Sequence, residues 1–136
     1  MEKKRLEWLL KTTKKRGHSV GLIAYHNHTP IGFIQSARAQ DFPNSKEYSS
    51  GPPNENAAFL ACLYVPKEEN RKKGLGTLML KEETSRLKQL GYKAVETFAR
   101  KSSQENPSGH LKFYLENGFK IEQDDPDFPL VRLELR

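Results

Sequence analysis

Cysteine and long apolar runs are scarce in this 136-residue sequence. The one cysteine, Cys62, has no internal partner and lies in an apolar run, which favours the reducing cytoplasm over secretion. No apolar stretch approaches the roughly 20 residues that a membrane-crossing helix needs. The charged start, Met1 to Arg5, is not followed by the apolar core of a signal peptide. These absences predict a cytoplasmic protein that makes no membrane contact.

Metal ligands and reactive nucleophiles are equally scarce. His26 and His28 would share one face of a strand, but no third ligand stands at a suitable distance in the sequence. Cys62 has no base that the sequence places beside it, as a nucleophilic thiol requires. We therefore expect no bound metal and no covalent cysteine chemistry.

Positive charge is in excess, with 23 Lys and Arg against 17 Asp and Glu and a net charge of +6. This balance favours anionic partners, either nucleic acid or a phosphorylated cofactor, although a solvated surface explains it too. No aromatic pattern suited to base stacking accompanies the charge, so nucleic acid is disfavoured.

Helical and strand periodicities alternate along the chain and predict a single α/β domain over residues 1–136, with a mixed sheet. Strand, helix and strand between residues 58 and 99 form a βαβ unit, which predicts a parallel pair. The predicted elements are a helix over 2–15, a hairpin of strands 20–25 and 31–35, a strand over 58–65, a helix over 74–90, a strand over 94–99, a helix from Asn106 and Pro107 to Gly118, and a strand over 131–136.

Three details of this prediction can be compared with a structure. Both hairpin strands are apolar at successive positions, so both of their faces should be covered. Residues 36–57 read as a long irregular connection, which is usually either functional or disordered. The helix over 74–90 should bury one apolar stripe, formed by Leu75, Leu78, Met79, Leu87 and Leu90.

A glycine-rich turn joins the strand over 58–65 to the next helix. Gly74 and Gly76 remove two Cβ atoms where free backbone N–H groups and the helix dipole favour an anion. Three cations, Arg71, Lys72 and Lys73, stand beside them. The turn lacks the Gly-Lys-Ser/Thr ending of a P-loop, and on its own it could be an ordinary basic surface turn.

The surroundings of this turn resemble the GNAT acetyltransferase family. Arg71 to Gly76 is similar to the acetyl-CoA motif of that family, and Phe113-Tyr114 followed by Gly118-Phe119 is similar to its second hallmark. Together the motifs cover roughly residues 58–119. The resemblance implies the GNAT acyl-CoA N-acyltransferase fold with a shortened N-terminal part. The connection 36–57, or a second subunit of a homodimer, would then replace the missing elements that line the acceptor site.

The resemblance also implies where acetyl-CoA, the expected co-substrate, would lie. Its pantetheine arm would enter between the strands over 58–65 and 94–99, because parted strands expose backbone groups that an amide-bearing arm can satisfy. Asn106 would contact the cofactor or, alternatively, only cap a helix. The other cofactor-binding residues implied are Leu63, Tyr64 and Val65 for the arm, and Arg71, Lys72, Lys73, Gly74, Leu75, Gly76 and Thr77 for the pyrophosphate.

Tyr114 is the catalytic candidate that the resemblance implies. A phenol with a reference pKa of about 10 can protonate a thiolate leaving group whose thiol reference is about 8.5. The alternative for Tyr114 is a core aromatic residue. A general base is not identified, since Glu96, Glu55 and water all remain candidates.

The resulting hypothesis is an acetyl-CoA-dependent N-acetyltransferase that acts by direct transfer on a primary amine. The acceptor would be a small molecule or a peptide, and the sequence does not say which. The alternative is a non-catalytic CoA-binding or interaction module of the same fold.

Overall fold

A computed structural model describes residues 20–42, 48–67, 74–101 and 110–135. They form one six-stranded mixed sheet in the order β1-β2-β3-β4-β6-β5, so the predicted α/β class is confirmed. The predicted helix over 2–15 lies outside the described residues. The elements are β1 (Gly21–His26), β2 (Thr29–Arg38), a short 3-10 helix (Ala39–Asp41), β3 (Ala58–Tyr64), α1 (Leu75–Gln89), β4 (Ala94–Phe98), α2 (Leu111–Glu116), β5 (Lys120–Gln123) and β6 (Leu130–Glu134).

The predicted hairpin is confirmed, with β1 antiparallel to β2. Its two-residue turn places Asn27 at φ 49° and His28 at φ 68°, the left-handed conformations that tight hairpin turns require. Coverage on both faces was a wrong prediction for β1, where Ile23 and Tyr25 are 56% and 61% exposed. One open face is ordinary for an antiparallel strand at a sheet edge.

The connection predicted over 36–57 is more regular than its composition suggests. β2 continues to Arg38, and the short 3-10 helix follows directly. Residues 48–57 then lie against the sheet, where the Tyr48 ring stacks on Phe98 with ring centroids 4.1 Å apart. The Ser50 hydroxyl donates to the carbonyl of Phe128 at 2.6 Å. The described part of this connection therefore forms one wall of the protein.

β3 contains a bulge that changes which of its residues face each side of the sheet. Gln35 pairs with Cys62, but the next residue of β2, Ser36, pairs with Leu60, so Ala61 is the extra residue. A bulged strand loses its simple alternation at that point. Leu60 before the bulge and Leu63 after it consequently belong to the same apolar cluster.

The predicted apolar stripe of helix α1 is confirmed in part. Met79 and Leu87 are buried, and Leu75 packs against the same apolar cluster, whereas Leu78 and Leu90 are 58% and 41% exposed. Leu80 and Glu83 are also buried and were not predicted. The buried residues at 79, 83 and 87 are spaced by four, which defines one side of a helix, and an acid at the middle position was not expected there.

Glu83 is fully buried and joins α1 to β2. Its carboxylate accepts a short hydrogen bond from the Ser36 hydroxyl and an ion pair from Arg86 Nε at 2.6 Å. A buried charge is tolerated only when it is paired and hydrogen-bonded in this way. The contact fixes the helix on the sheet.

The sheet has two unlike faces. The helix face, covered by α1 and α2, carries one apolar cluster, which includes Ile34, Leu60, Val95, Tyr114 and Phe119. The loop face carries a second cluster, formed by Ala39, Phe59, Phe98 and Leu130, with Phe42, Ala61 and Phe128 against it. The edge strand β5 was not predicted. It has only four residues, all of them exposed, and they show no clear alternation of apolar and polar side chains.

Candidate active site

The predicted parallel pairing of β3 and β4 is confirmed, and it is short. Only Ala58 with Val95 and Phe59 with Glu96 are paired. Beyond β4, the amide of Ala99 donates to Pro129 O at 3.0 Å, so the chain follows β6 rather than β3. The backbone pairing of the two parallel strands therefore ends after their first residues, where the strands part.

Thr97 stands at the point where the strands part. Its hydroxyl donates to the carbonyl oxygen of Leu60 at 2.7 Å, and its side chain is fully buried. This side-chain bond spans the two strands at the position that follows the last backbone pair. Sequence reasoning did not single out Thr97, since a threonine within a strand carries no special pattern.

The residues predicted to line the pantetheine arm lie in the parted half of β3. Leu63 and Val65 pack into the helix-face cluster. Tyr64 is 47% exposed, and its ring contacts Phe33 edge-on at 5.7 Å. The structure thus places all three beyond the paired segment, and their contact with a cofactor stays a prediction.

Gly74 begins α1 from a left-handed conformation. Its φ is 77° and its ψ 17°, a region that costs a residue with a Cβ about 1–2 kcal/mol. The first helical bond runs from Leu78 N–H to Gly74 O at 3.0 Å. The amides of residues 75–77 precede that bond, and glycine has no side chain to cap them. This end of the helix is therefore suited to an anion.

Gly76 links this turn to the second helix. A Cβ at Gly76 would lie 3.7 Å from the Phe113 ring, which is an ordinary contact. Thr77, also predicted to bind the pyrophosphate, is half-buried in the same first turn of α1. Three of the predicted phosphate-binding residues, Arg71 to Lys73, lie outside the described residues, as does Asn106.

Helix α2 begins later than predicted. His110 is its N-cap, with extended backbone and a ring nitrogen that accepts from Lys112 N–H at 3.2 Å. A helix that runs unbroken through His110 is therefore a wrong prediction, and the predicted cap at Asn106 and Pro107 lies outside the described residues. Histidine is not among the residues that usually signal a cap, so the sequence carried no signal for this start.

The end of α2 fixes the ring of Tyr114. Gly118, at φ 91°, permits a turn in which Phe119 N–H donates to Tyr114 O at 3.1 Å. That turn brings the Phe119 ring to 5.1 Å from the Tyr114 ring, and Phe113 lies at 5.2 Å on another side. The two predicted aromatic hallmarks are thus brought together around one tyrosine.

The Tyr114 hydroxyl is the unusual group of this site. It is buried, and among the described residues it makes no hydrogen bond. Burial raises the pKa of Tyr114 well above its ordinary value, the nearby Thr97 hydroxyl opposes that rise, and Cys62 adds to it. The Thr97 hydroxyl itself donates to Leu60 O at 2.7 Å. Tyr114 stays protonated through the neutral range, and its proton has no acceptor until one enters.

The two carboxylates considered as general bases, Glu96 and Glu55, lie in different environments. Glu96 is buried on the loop face, where it accepts from Arg132 at 3.0 Å and from the backbone N–H of Asn54 at 2.6 Å. Glu96 is therefore buried and paired, and its role as a general base stays a prediction. Glu55 is exposed in the turn at 55–56, and its role stays a prediction.

The described ranges hold neither a metal-binding cluster nor a membrane-spanning helix. No group of three or more His, Cys, Asp or Glu residues is placed there to hold a metal. No helix within the same ranges has the length and apolar character to cross a membrane.

The sequence model described as Acetyltransferase (GNAT) family matches residues 1–119. The chain therefore belongs to the GNAT acetyltransferase family, and it is an acetyl-CoA-dependent acyltransferase with acetyl-CoA as its co-substrate. A search of curated proteins returned no match.

Solved structures show the same fold. A PaiA N-acetyltransferase from Thermoplasma acidophilum in complex with coenzyme A superposes with TM-score 0.68 at 22% identity, over 96% of this chain and 69% of that one. A ribosomal-protein-S18-alanine N-acetyltransferase from Escherichia coli gives TM-score 0.60 at 15% identity, over 92% and 76%. A ribosomal-protein-alanine N-acetyltransferase from Brucella melitensis gives 0.66 at 14% identity, over 97% and 77%.

The described residues fit acetyl-CoA on two independent observations. The start of α1 offers amides that a glycine leaves uncapped, which suits a pyrophosphate. The buried Tyr114 hydroxyl lacks a hydrogen-bond partner among the described residues, which suits a sulfur that needs a proton.

Proposed function

We propose that this protein, as one catalytic domain over residues 1–136, transfers the acetyl group of acetyl-CoA directly to a primary amine. The observation that carries the proposal is the buried Tyr114 hydroxyl, which has no hydrogen-bond partner among the described residues. A hydroxyl in that state is expensive to maintain unless a ligand uses it. The single buried Cys62 supports a reducing compartment, the cytoplasm.

Acetyl-CoA supplies the activated acyl group, and the chain supplies its placement and one proton. The amides at the start of α1 and the cations predicted before them hold the pyrophosphate. The parted ends of β3 and β4 receive the arm, and Tyr114 protonates the sulfur as the thiol leaves. Catalysis then rests on positioning and on general acid action, which together account for large rate factors.

The acceptor is proposed as an amine of a peptide or of a small molecule. Two of the structural relatives are named as ribosomal-protein-alanine N-acetyltransferases, which makes a peptide amino group the first acceptor to test. Direct transfer is proposed because it needs only the thioester and the acceptor amine held together, with no covalent acyl-enzyme.

The first experiment measures release of free thiol from acetyl-CoA against a panel of peptides and small amines. Tyr114→Phe should lower turnover by about 100-fold or more and leave the acetyl-CoA dissociation constant within about twofold. Tyr48→Phe, which removes a phenol on the loop face, is the matched control and should match the parent enzyme.

The outcomes separate the alternatives. Initial-rate lines that intersect as both substrates vary support direct transfer, whereas parallel lines contradict it. Tight acetyl-CoA binding without thiol release from any amine would favour the non-catalytic binding module instead. Equal turnover of Tyr114→Phe and the parent would remove Tyr114 from the mechanism.

A further inference from the structure

The proposed reaction converts Tyr114 into a phenolate, and this buried negative charge needs a hydrogen-bond donor. Once the phenol gives its proton away, a phenolate stands in a site that is fully buried and lined by the edges of Phe113 and Phe119. An isolated buried anion is strongly disfavoured. Some neighbouring donor has to turn toward it.

Thr97 is placed to be that donor. Its side chain is buried and alternates along the chain with Glu96 and Phe98, so it lies on the same side of the sheet as Val95 and Ala99. Both of those residues share one apolar cluster with Tyr114. Its proton points at Leu60 O, 2.7 Å away, where the strands part. A hydroxyl hydrogen rotates about its C–O bond at little cost, so the same proton can serve Leu60 O or the Tyr114 oxygen.

We propose that Thr97 is a positioning residue of the acetyl transfer, whose hydroxyl turns from Leu60 O to the Tyr114 oxygen as Tyr114 gives up its proton. The proposal rests on the proposed function, because it takes Tyr114 as the acid. It adds a residue that touches neither the acyl group nor the acceptor.

The step balances in protons and electrons. As the carbon–sulfur bond breaks, its electron pair stays on sulfur, and Tyr114 supplies the proton that completes the thiol. The Thr97 O–H bond stays intact throughout and only changes the oxygen to which it donates. The acceptor nitrogen loses one proton to solvent as its bond to the acyl carbon forms, and solvent returns one proton to the Tyr114 phenolate.

The opposing influence of Thr97 on the pKa of Tyr114 agrees with this geometry. A donor to the anionic form lowers the pKa of an acid. Cys62 is the titratable side chain whose charge acts on Tyr114 among the described residues, and it acts in the opposite direction. A test therefore has to keep the Cys62 thiol out of the measurement.

The first measurement is kinetic. Thr97→Val, which keeps the shape and removes the hydroxyl, should lower turnover about tenfold or more, the worth of a hydrogen bond to a charged group. It should leave the acetyl-CoA dissociation constant unchanged. Thr97→Ser should retain most of the turnover. Thr84→Val is the matched control, because the Thr84 hydroxyl also donates to a backbone carbonyl, Lys81 O at 3.0 Å, but on the outside of α1.

A double-mutant comparison separates action through Tyr114 from loss of structure. In a Tyr114→Phe background, Thr97→Val should cost nothing further, since no phenolate forms there. An equal loss in both backgrounds, or turnover of Thr97→Val equal to that of the parent, would overturn the proposal. Melting temperatures of all variants show whether each one folds.

The second measurement needs no cofactor. A fluorinated tyrosine at position 114, in a Cys62→Ala background, brings the ionisation into a measurable pH range. Thr97→Val should raise its pKa by about one unit, Thr97→Ser should restore it, and Thr84→Val should not change it. An unchanged pKa in Thr97→Val would contradict the proposal.

The two measurements keep this proposal distinct from the proposed function. An impaired Tyr114→Phe with an unaffected Thr97→Val overturns the role of Thr97 alone. Full turnover in Tyr114→Phe overturns the role of Thr97 together with that of Tyr114 in the proposed function.

Discussion

The two faces of the sheet hold their buried carboxylates in different ways. On the helix face, Glu83 receives an arginine from its own helix, three residues away, and one hydroxyl from β2. On the loop face, Glu96 receives Arg132 from the neighbouring strand and a backbone amide from the connection over 48–57. One carboxylate anchors a helix, and the other anchors a loop.

The two faces of the sheet also differ in the features that they carry. The helix face carries the turn at Gly74, the parted strands and Tyr114, and its cluster is largely aliphatic. The loop face is built from stacked aromatic rings around Phe98, with Tyr48 at 4.1 Å and Phe59 at 5.6 Å. The proposed chemistry is concentrated on the helix face, while the aromatic rings of the loop face pack against Phe98 of β4.

The largest expected difference between the faces is in stability. Glu83→Ala should lower the free energy of unfolding by about 3–5 kcal/mol, because the Ser36 hydroxyl stays buried without that acceptor and a buried pair is broken. Glu96→Ala should cost about half as much, because Arg132 keeps Glu134 at 2.6 Å. Urea unfolding at neutral pH measures both, and a larger loss in Glu96→Ala would reverse the comparison.

A smaller effect is expected at the turn that opens the helix face. Gly74→Ala should lower stability by about 1–2 kcal/mol, since alanine resists the left-handed conformation at φ 77°. Gly76→Ala should be neutral or stabilising by up to about 1 kcal/mol, since its methyl meets only the Phe113 ring at van der Waals distance.

The same pair tests the pyrophosphate site. Weaker acetyl-CoA binding by the stable Gly76→Ala variant, measured by calorimetry, would reflect crowding of the ligand rather than a damaged fold. Unchanged binding in both variants would count against a phosphate at this turn.

The smallest expected effect on stability concerns Asp125, whose carboxylate contacts the connection over 48–57 through Ser49. Hydrogen bonds from the Phe128 amide, the Ser49 hydroxyl and the Asp127 amide lower the pKa of Asp125. Its folded pKa lies below the unfolded value of about 3.9, so its contribution is complete above that value. The contribution is lost as the pH falls through the lower folded pKa.

Asp125→Asn, or acid, should therefore loosen residues 48–57 without touching the helix face. Amide exchange of that segment should rise several-fold, and acetyl-CoA affinity at neutral pH should stay the same. Lys112→Gln, on the exposed side of α2, is a charge-matched control that should leave the exchange of the segment unchanged.

Sequence reasoning reached the parts of the fold that repeat a local pattern. The hairpin, the βαβ unit and the tyrosine before Gly118 all follow from spacing and turn residues. The same reasoning failed where a long-range partner decides the outcome. Glu83 interrupts an apolar stripe, and its buried carboxylate contacts both Arg86 and Ser36. The Arg86 contact is local, three residues along the helix, but Ser36 lies 47 residues away and that contact is not visible along the chain.

The candidate site divides in the same way. The turn at Gly74 and the aromatic pair at Tyr114 carry sequence signals, since each needs a particular residue at a particular position. Thr97 and the cap at His110 carry none, because an ordinary strand threonine becomes special only where β3 and β4 part. The aromatic wall of the loop face was missed because its rings come from three distant segments, at Tyr48, Phe98 and Phe128.

The bulge at Ala61 determines which side chains of β3 can be mutated together to change one face of the sheet. Even-numbered side chains before that position and odd-numbered ones after it point toward the same side, so Leu60 and Leu63 are neighbours in phase although their numbers differ in parity. A library of variants laid out by strict alternation would therefore alter opposite walls in its two halves.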